Sequence, residues 1–285
     1  MTLPTSLVLD GGLATQLEAQ GEDLSSSLWS AAVLRSDPEA ITRAHAAFFA
    51  AGAQVATTAT YQLTPMSLSR SGFDEAELAP LTRDAVAAAR SARDAHGSGW
   101  IVGSVGPYGA SLADGSEYRG DYGLSVAELR AWHRPRLQKL AAAEPDLLAC
   151  ETIPCLAEVE ALAAELADLG VPAWISLTTV GDRTRLGEPA REAYAIAADV
   201  PNVIALGANC CDPGESADVV AAVGGLRPVV FYPNSGESWD ATARTWTGAA
   251  AASENVCAWL AAGVRALGGC CRVTPDQIAA MRRHL

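Results

Sequence analysis

The sequence predicts an α/β protein that folds as one (β/α)8 TIM barrel, a single domain over residues 1–285. Eight short β-type segments recur along the chain, and most of them are followed by a segment compatible with a helix. Their starts are spaced by about 25 to 50 residues, as a βα repeat requires. The segments are apolar throughout, which is typical of strands buried on both faces of a parallel sheet. A doubly wound open sheet is the alternative.

The predicted strands follow from runs of β-branched and other apolar residues. In chain order they are Ser6–Asp10, Gln54–Thr60, Trp100–Val105, Asp146–Cys150, Ala173–Thr178, Asn202–Leu206, Arg227–Tyr232 and Val264–Leu267. Between them, several segments carry a helix-capping residue, a proline at the first helical position or a closing glycine. These signals are Asp37-Pro38 for a helix toward Ala51, the capping box Ser125-Val126-Ala127-Glu128, the run Cys155–Leu169 closed by Gly170, and Thr274-Pro275.

The longest connection, residues 106–124, follows the third predicted strand and contains glycine, tyrosine and acidic residues. A loop of this length inside a compact domain is often functional, so we predict that it acts as a lid. No composition break or linker divides the chain, which favours one domain.

Charge and composition exclude several functions. The net charge of −13 disfavours binding to nucleic acid or to an anionic membrane surface, because both need clustered lysine and arginine. No apolar run reaches the roughly 20 residues that a bilayer requires. The segment Met1–Asp10 lacks the basic and apolar regions of a signal peptide. We therefore expect a cytoplasmic protein that acts on small molecules.

Seven cysteines in a long chain without a secretory signal predict metal-binding or catalytic thiols rather than a disulfide framework. Four of them follow predicted strands, as Cys210-Cys211 and Cys270-Cys271. Thiolates at the shared end of a barrel indicate Zn²⁺, and three protein ligands would leave one position open for substrate. Periodicity leaves the choice between Cys210 and Cys211 open. A disulfide between adjacent cysteines is the alternative.

The other three cysteines are predicted to serve packing: Cys150 and Cys257 as small apolar core residues, and Cys155 at a helix start. None of the four histidines follows a predicted strand, which disfavours a histidine triad or a histidine-rich metal site. The only lysine, Lys139, lies in a predicted helix, so a Schiff-base aldolase is disfavoured too. A lyase with a reactive cysteine is a weaker alternative.

Two acidic residues, Asp10 and Glu151, end apolar strands, where a carboxylate is costly unless it is paired. We predict that they bind a cationic group such as the ammonium of an amino acid. The alternative is an acid in a solvated loop or a helix cap. Gly11 and Gly12 would let the backbone approach a ligand and expose N–H groups to a carboxylate.

Together these motifs resemble the homocysteine S-methyltransferase family over essentially the whole chain. The matching segments are Asp10-Gly11-Gly12, Leu28-Trp29-Ser30, Thr60-Tyr61-Gln62, Gly103-Ser104-x-Gly106-Pro107, Glu151-Thr152, Gly207-x-Asn209-Cys210, Tyr232-Pro233-Asn234-x-Gly236-Glu237 and Gly268-Gly269-Cys270-Cys271. Members of that family are zinc-dependent (β/α)8 barrels. The resemblance implies that the zinc ligands are Cys210, Cys270 and Cys271, which selects Cys210 over Cys211.

The resemblance also implies the substrates. Asp10 and Glu151 would hold the amino group of homocysteine, with the Gly11-Gly12 turn near its carboxylate. The Thr-Tyr-Gln and Tyr-Pro-Asn motifs are similar to the branch that uses sulfonium donors, S-methylmethionine or S-adenosylmethionine. A betaine-type donor, or a zinc- or amino-acid-binding barrel without turnover, is the alternative.

Three further roles are expected at the site. Trp29 and Tyr61 are the first candidates for an aromatic wall around a cationic donor, because cations favour π faces. For Trp29, packing at a helix entry is the alternative. Asn234 belongs to the predicted substrate-binding residues through its motif. We also expect Gly268-Gly269 to let the chain turn tightly, so that consecutive cysteines reach one ion.

Overall fold

The computed structural model describes residues 3–4, 6–24, 30–240, 245–248 and 250–285. Eight parallel strands form its main sheet: β1 (Leu7–Val8), β2 (Val55–Thr57), β3 (Trp100–Val105), β4 (Leu147–Ile153), β5 (Ala173–Leu177), β6 (Val203–Asn209), β7 (Val229–Tyr232) and β8 (Val264–Leu267). The strand order is β1-β8-β7-β6-β5-β4-β3-β2. From β2 to β8, strands that are consecutive in sequence lie side by side, and β1 lies beside β8. In this order β1 and β2 are at the two ends of the sheet.

Hydrogen bonds between β1 and the start of β2 close the sheet. The N–H of Gln54 donates to the carbonyl of Val8 over 2.8 Å, and the N–H of Val8 donates to the side-chain oxygen of Gln54 over 3.1 Å. The predicted (β/α)8 barrel is therefore confirmed, and the open doubly wound sheet is excluded.

Helices follow or connect the strands around the outside of the barrel. They are α1 (Leu13–Ala19), α2 (Ser30–Ser36), α3 (Pro38–Ala50), α4 (Pro65–Arg70), α5 (Leu78–His96), α6 (Val126–Ala142), α7 (Leu156–Leu169), α8 (Ala190–Ala198), α9 (Ser216–Val223), α10 (Val256–Ala262) and α11 (Pro275–Arg282). Two small hairpins pair Thr179–Val180 with Arg183–Thr184 and Ser238–Asp240 with Thr245–Thr247. Within the described residues, no helix is both long and apolar enough to span a bilayer.

The predicted helix signals are confirmed by their hydrogen bonds. Asp37 caps α3 by accepting the N–H of Ala40 over 3.2 Å. In the capping box of α6, the Ser125 hydroxyl accepts the N–H of Glu128, and the Glu128 carboxylate accepts the N–H of Ser125. Gly170 ends α7 in the left-handed conformation, with a φ of 69°. These local signals were readable because capping involves residues three positions apart in sequence.

Two strands run further than their apolar segments predicted. The strand β4 continues through Glu151 and Thr152 to Ile153, and β6 continues to Asn209. These polar residues stay in buried strands because they bond to one another: the N–H of Thr152 donates to Asn209 Oδ1 over 2.7 Å. Part of the functional end of the barrel is therefore built on strand ends, and the loops after the strands supply the rest.

The interior of the barrel is filled by side chains that the strands contribute in alternation. They include Val55, Val102, Ala149, Trp174 and Val230, all nearly or fully buried. The indole N–H of Trp174 donates to the hydroxyl of Tyr232 over 3.0 Å, so this layer supports a residue of the site above it. A second and larger apolar layer lies between the sheet and the outer helices.

Gly207 on β6 packs tightly against β7, where it pairs with Val230 in the sheet. A Cβ atom added at Gly207 would lie 1.6 Å from the Val230 carbonyl oxygen, which is backbone and cannot rotate away. We expect Gly207→Ala to lower the free energy of unfolding by about 3 kcal/mol, the upper end of the usual range for overpacking. Urea unfolding followed by circular dichroism measures this.

The matched control is Gly214→Ala, in the short turn Pro213–Glu215. A Cβ atom there would meet only the carboxylate of Asp212, at 3.1 Å. Its effect should stay below about 1 kcal/mol. Equal stability of the wild type and Gly207→Ala would show that β6 and β7 can separate without cost.

Candidate active site

A cavity of about 200 Å³ opens at the carboxyl ends of the strands. Its lining comes from loops or strand ends around most of the barrel. Three carboxylates line it, from Asp10, Glu117 and Glu151, together with the tyrosines Tyr61, Tyr118 and Tyr232. No lysine, arginine or histidine is among the described residues that line it. The cavity is therefore suited to cationic molecules.

One wall of the cavity carries three cysteines from two strands. The sulfur atoms of Cys210, Cys270 and Cys271 all lie within 4.8 Å of one another. The structure joins Cys210 and Cys270 by a disulfide, and their Cα atoms are 5.6 Å apart. Cys210 has a φ of 50°, an uncommon left-handed conformation. Its side chain therefore points in a different direction from the side chain of Cys211. Once that disulfide is reduced, three thiolates this close can bind one ion.

Cys211 points to the other side of the sheet. It is buried in the apolar layer between the barrel and its helices, and burial raises the pKa of its thiol. The structure thus places Cys210, and not Cys211, with the cysteines of the last loop. Periodicity could not make that distinction because both residues follow the same strand.

The chemistry of the three thiols fits a thiophilic dication. Burial raises the pKa of Cys271 to about 11, so the thiol alone would stay protonated at neutral pH. A bound dication offsets that desolvation and favours the thiolate. Three sulfur ligands match the ligand preference of zinc and leave a tetrahedral ion one further position.

The segment after β7 holds both cysteine loops in register. The N–H of Asn234 donates to the carbonyl of Cys211 over 3.1 Å, and its side-chain oxygen accepts the N–H of Cys271 over 3.2 Å. The N–H of Ser235 donates to the carbonyl of Cys271 over 3.0 Å. Asn234 does not line the cavity. Its observed contacts position the cysteine loop, and its predicted contact with substrate stays a prediction.

Gly268 and Gly269 serve close packing, and our expectation of a tight turn is wrong. Neither is among the glycines with positive φ. A Cβ atom at Gly269 would lie 2.2 Å from the side chain of Val273, and one at Gly268 would lie 2.6 Å from Leu9. The two glycines therefore let the last loop lie directly against β1 and its own continuation.

The Gly11-Gly12 turn packs against the cysteine loop from the other side. The N–H of Gly12 donates to the carbonyl of Val273 over 2.9 Å, and a Cβ atom at Gly12 would lie 2.6 Å from the carbonyl oxygen of Cys270. Both glycines line the cavity, and α1 begins directly after them at Leu13. The first turn of a helix has N–H groups without intrahelical acceptors, so this edge of the cavity offers donors to an anion.

Asp10 is buried, and its hydrogen bonds come from β2. Its carboxylate accepts the N–H of Thr57 over 2.6 Å and the hydroxyl of Thr57 over 2.8 Å. Burial raises the pKa of Asp10 to about 6, although both hydrogen bonds act in the opposite direction. The carboxylate is therefore held in one orientation, and a bound cation would stabilise its ionised form.

Glu151 stands on β4 and is equally buried. Its carboxylate accepts hydrogen bonds from the hydroxyls of Ser104 and Tyr232. Burial and, to a lesser extent, the negative charge of Asp10 raise the pKa of Glu151 to about 7, although both hydrogen bonds act in the opposite direction. The two predicted acids thus face one cavity closely enough to repel each other, as expected for a pair that shares a cationic ligand.

Asn209 links the acidic side of the cavity to the cysteines. Its amide donates to the hydroxyl of Thr152 over 2.8 Å and lies 4.0 Å from the sulfur of Cys270. Thr152 has a φ of 61°, which this pairing stabilises. Asn209 belongs to one of the motifs that resemble the family, but no role was predicted for it. Its position immediately before Cys210 was the available signal.

Arg136 is a residue of the site that the sequence analysis missed. It is buried under the loops that follow β2 and β3, and donates to the carbonyls of Gly106, Thr60 and Tyr61 over 2.8, 3.2 and 3.0 Å. Burial lowers its pKa to about 10, so it remains charged at neutral pH. The guanidinium thereby fixes the backbone that carries Tyr61. Nothing in the local pattern of α6 marks it.

The long loop 106–124 forms part of the cavity wall. It folds into two short 3-10 turns, Tyr108–Leu112 and Ser116–Tyr118, and contributes Glu117 and Tyr118 to the lining. The guanidinium of Arg185 lies over the ring of Tyr118, 5.5 Å from its centre. The motion expected of a lid stays a prediction, but the loop's contribution to the site is observed.

The remaining predicted residues divide into three outcomes. Tyr61 lines the cavity as expected, while Trp29 lies outside the described residues. Cys150 and Cys155 are buried, which confirms their packing role. Cys257 is exposed, and the prediction of a core position is wrong. It lies on the outer side of α10, whose residues Val256 and Trp259 make the core contacts.

Fold and site together define a barrel enzyme with three clustered cysteines beside an acidic, aromatic cavity. Comparison with known proteins agrees. The sequence profile of the family described as "Homocysteine S-methyltransferase" matches residues 7–285. The homocysteine S-methyltransferase of Escherichia coli is 47% identical over 97% of this chain and 94% of that protein. The chain is a methyltransferase that belongs to the homocysteine S-methyltransferase family.

Two further relatives support the assignment over the full length. The homocysteine S-methyltransferase YbgG of Bacillus subtilis is 41% identical, covering 98% of this chain and 95% of its own. The solved structure of the E. coli homocysteine methyltransferase MmuM, in its metallated form, superimposes with a TM-score of 0.89 at 43% identity. It covers 99% of this chain and 97% of that one.

Proposed function

We propose that this enzyme transfers a methyl group from a sulfonium donor, S-methylmethionine or S-adenosylmethionine, to the thiolate of L-homocysteine, forming methionine. We propose Zn²⁺ as the metal, bound by Cys210, Cys270 and Cys271. The observation that carries the proposal is the composition of the cavity. Three thiols lie beside three carboxylates and three tyrosines, and no basic side chain is among the described lining.

The metal supplies one thing to this reaction. A free thiol has a pKa of about 8.5, and Zn²⁺, when bound, supplies the charge that keeps the homocysteine sulfur ionised at neutral pH. The protein's own residues perform the remaining tasks. They hold the amino acid at its polar end, exclude water, and align the donor with the sulfur.

Homocysteine would bind through its two charged groups. Its ammonium is placed between Asp10 and Glu151, whose carboxylates are already oriented by Thr57 and Ser104. Its carboxylate is placed at the first turn of α1, next to the Gly11-Gly12 edge of the cavity. Two contacts of this kind fix the direction of the side chain and lead its sulfur toward the three cysteines.

The transfer itself needs no proton. The homocysteine thiolate attacks the methyl carbon, a new carbon–sulfur bond forms, and the bond from that carbon to the donor sulfonium breaks. The bonding electrons remain on the donor sulfur, which leaves as a neutral thioether. Because no proton is transferred, the reaction needs no general acid or base. This agrees with the described lining of the cavity, which contains no histidine.

The donor cation would lie against aromatic rings. Tyr61 and Tyr118 line the same cavity, and both rings attract a positive charge. The backbone of Tyr61 is fixed by Arg136, and the ring of Tyr118 contacts Arg185. A quaternary ammonium such as betaine would also suit an aromatic wall, so the donor must be tested directly.

A donor panel tests the proposal. The protein is freed of metal, reloaded with Zn²⁺ or Mg²⁺, and assayed for methionine formed from homocysteine with S-methylmethionine, S-adenosylmethionine or betaine. We expect turnover with at least one sulfonium donor, none with betaine, and activity restored by Zn²⁺ only. Turnover with betaine alone would overturn the donor assignment. Homocysteine binding without methionine from any donor would support a binding protein instead.

A further inference from the structure

The loop 106–124 carries one acidic residue into the cavity. Glu117 lies in the 3-10 turn Ser116–Tyr118, which is folded back against the start of the loop. A Cβ atom at Gly109 would lie 2.5 Å from the backbone nitrogen of Glu117, so only glycine permits this approach. The start of the loop is itself fixed, because the N–H of Tyr108 donates to Glu158 Oε1 over 2.6 Å. Glu117 is thus held in place by its backbone.

Glu117 differs from the other two acids of the cavity in its hydrogen bonds. The carboxylate of Asp10 accepts two hydrogen bonds from Thr57, and the carboxylate of Glu151 accepts one from the hydroxyl of Ser104. Glu117 is only 9% exposed as a residue, and its Oε2 atom is buried without a hydrogen-bond partner among the described residues. A buried carboxylate oxygen in this condition is costly and calls for an explanation.

Among the residues that the structure describes, no lysine, arginine or histidine forms an ion pair with this carboxylate, although the charge of Arg119 attracts it. Arg119 is the nearest candidate, two residues further along the loop. Its guanidinium lies 3.7 Å from Asp114 and 3.7 Å from Asp121, and it donates to the hydroxyl of Ser116 over 2.6 Å. About half of its side chain is in solvent, at 53% exposure. Within the described part of the chain the buried oxygen therefore has no partner, and a cationic group of a ligand in the cavity can supply one.

The chemistry of the missing partner can be specified. A carboxylate oxygen needs an N–H or O–H donor, and neither a sulfonium nor a quaternary ammonium has one. The ammonium of homocysteine already has Asp10 and Glu151. The methyl donors S-methylmethionine and S-adenosylmethionine each carry, besides the sulfonium, a primary ammonium of their own on the α-carbon. Glu117 shares its turn with Tyr118, which lies where the donor cation is placed.

We propose that Glu117 binds the α-ammonium of the methyl donor and thereby selects amino-acid sulfonium donors over cationic methyl donors that lack an ammonium. This inference rests on the proposed function. It makes Glu117 a specificity-determining residue of the loop, separate from the pair that holds homocysteine.

The test compares two donors in the zinc-loaded protein at saturating homocysteine. One is S-methylmethionine, and the other is its desamino analogue, (3-carboxypropyl)dimethylsulfonium. Loss of a charge-assisted hydrogen bond typically lowers kcat/KM by roughly 10- to 150-fold. We expect Glu117→Gln to show a loss of about this size for S-methylmethionine and none for the desamino analogue. The KM for homocysteine should not change.

Two further variants separate specificity from loop structure. Glu117→Asp keeps the charge and should restore part of the preference for S-methylmethionine. Asp114→Asn changes an exposed acid of the same loop and should behave as wild type. Equal losses for both donors in Glu117→Gln, or a raised KM for homocysteine, would overturn the inference while the proposed function stands.

Failure of the proposed function has a different signature. It would appear as absence of turnover with every sulfonium donor in the wild-type protein. Calorimetry with S-methylmethionine then decides the inference by itself. Weaker binding to Glu117→Gln than to wild type would support it, and equal binding would overturn it.

Discussion

Replacing Cys271 with serine is expected to abolish binding of the proposed metal and to lower methyl transfer by at least about 100-fold. Loss of an outer hydrogen-bond partner of a metal site already costs 10- to 100-fold, and loss of a direct ligand costs more. Cys271 is well suited to this test because it lies on a loop and is only partly buried. The fold should therefore remain intact, which circular dichroism checks.

The chain offers a matched control one residue from another ligand. Cys211→Ala removes a thiol that packs in the apolar layer, away from the three clustered sulfurs. It should keep its metal and most of its activity, although Cys210→Ala should lose both. Metal content is measured on reduced protein by mass spectrometry of the element. A metallated, active Cys271→Ser variant, or metal loss in Cys211→Ala alone, would refute the proposed ligand set.

Replacing Glu151 with glutamine is expected to raise the KM for homocysteine by roughly 100-fold, because a buried charge partner of the ammonium is lost. Glutamine keeps the shape and retains an oxygen that can accept from Ser104. The control is Glu165→Gln, a little-exposed acid paired with Arg130 and Arg134 outside the cavity. It should lose stability but keep the KM for homocysteine. A wild-type KM in Glu151→Gln would refute the proposed ammonium site.

The same carboxylates predict a pH dependence with a definite sign. Burial raises the pKa of Asp10 to about 6 and that of Glu151 to about 7 in the ligand-free protein. Both must be ionised to hold an ammonium, so the KM for homocysteine should fall as pH rises from 5 to about 7.5. In Glu151→Gln the upper part of this change should disappear. A flat profile in the wild type would contradict the assignment.

Much of the barrel was predictable because its signals are local. The apolar strands, the capping box at Ser125 and the closing Gly170 each depend on residues that are neighbours in sequence. Strand ends were less predictable, since Glu151 and Asn209 stay in their strands through hydrogen bonds to distant partners. The error at Cys257 has the same origin, because only the docking of α10 decides which of its sides is exposed.

The candidate site divides in a similar way. Asp10, Glu151 and the cysteine pairs were identifiable, because polar residues at the ends of buried strands stand out against their apolar neighbours. Arg136 and Glu117 were not identifiable. One lies inside a helix, and the other lies in the middle of a long polar loop, where charged residues are ordinary.

The sequence by itself determined the repeat of strands and helices, the family motifs, and the residue types gathered at one end of the barrel. Tertiary structure decided which of two adjacent cysteines joins the other two, and that Gly268 and Gly269 serve close packing. It also decided that Asn234 holds the cysteine loop and that Glu117 reaches the cavity. The physical reason is that direction, burial and hydrogen bonding depend on contacts between distant segments, and closure of the barrel creates those contacts.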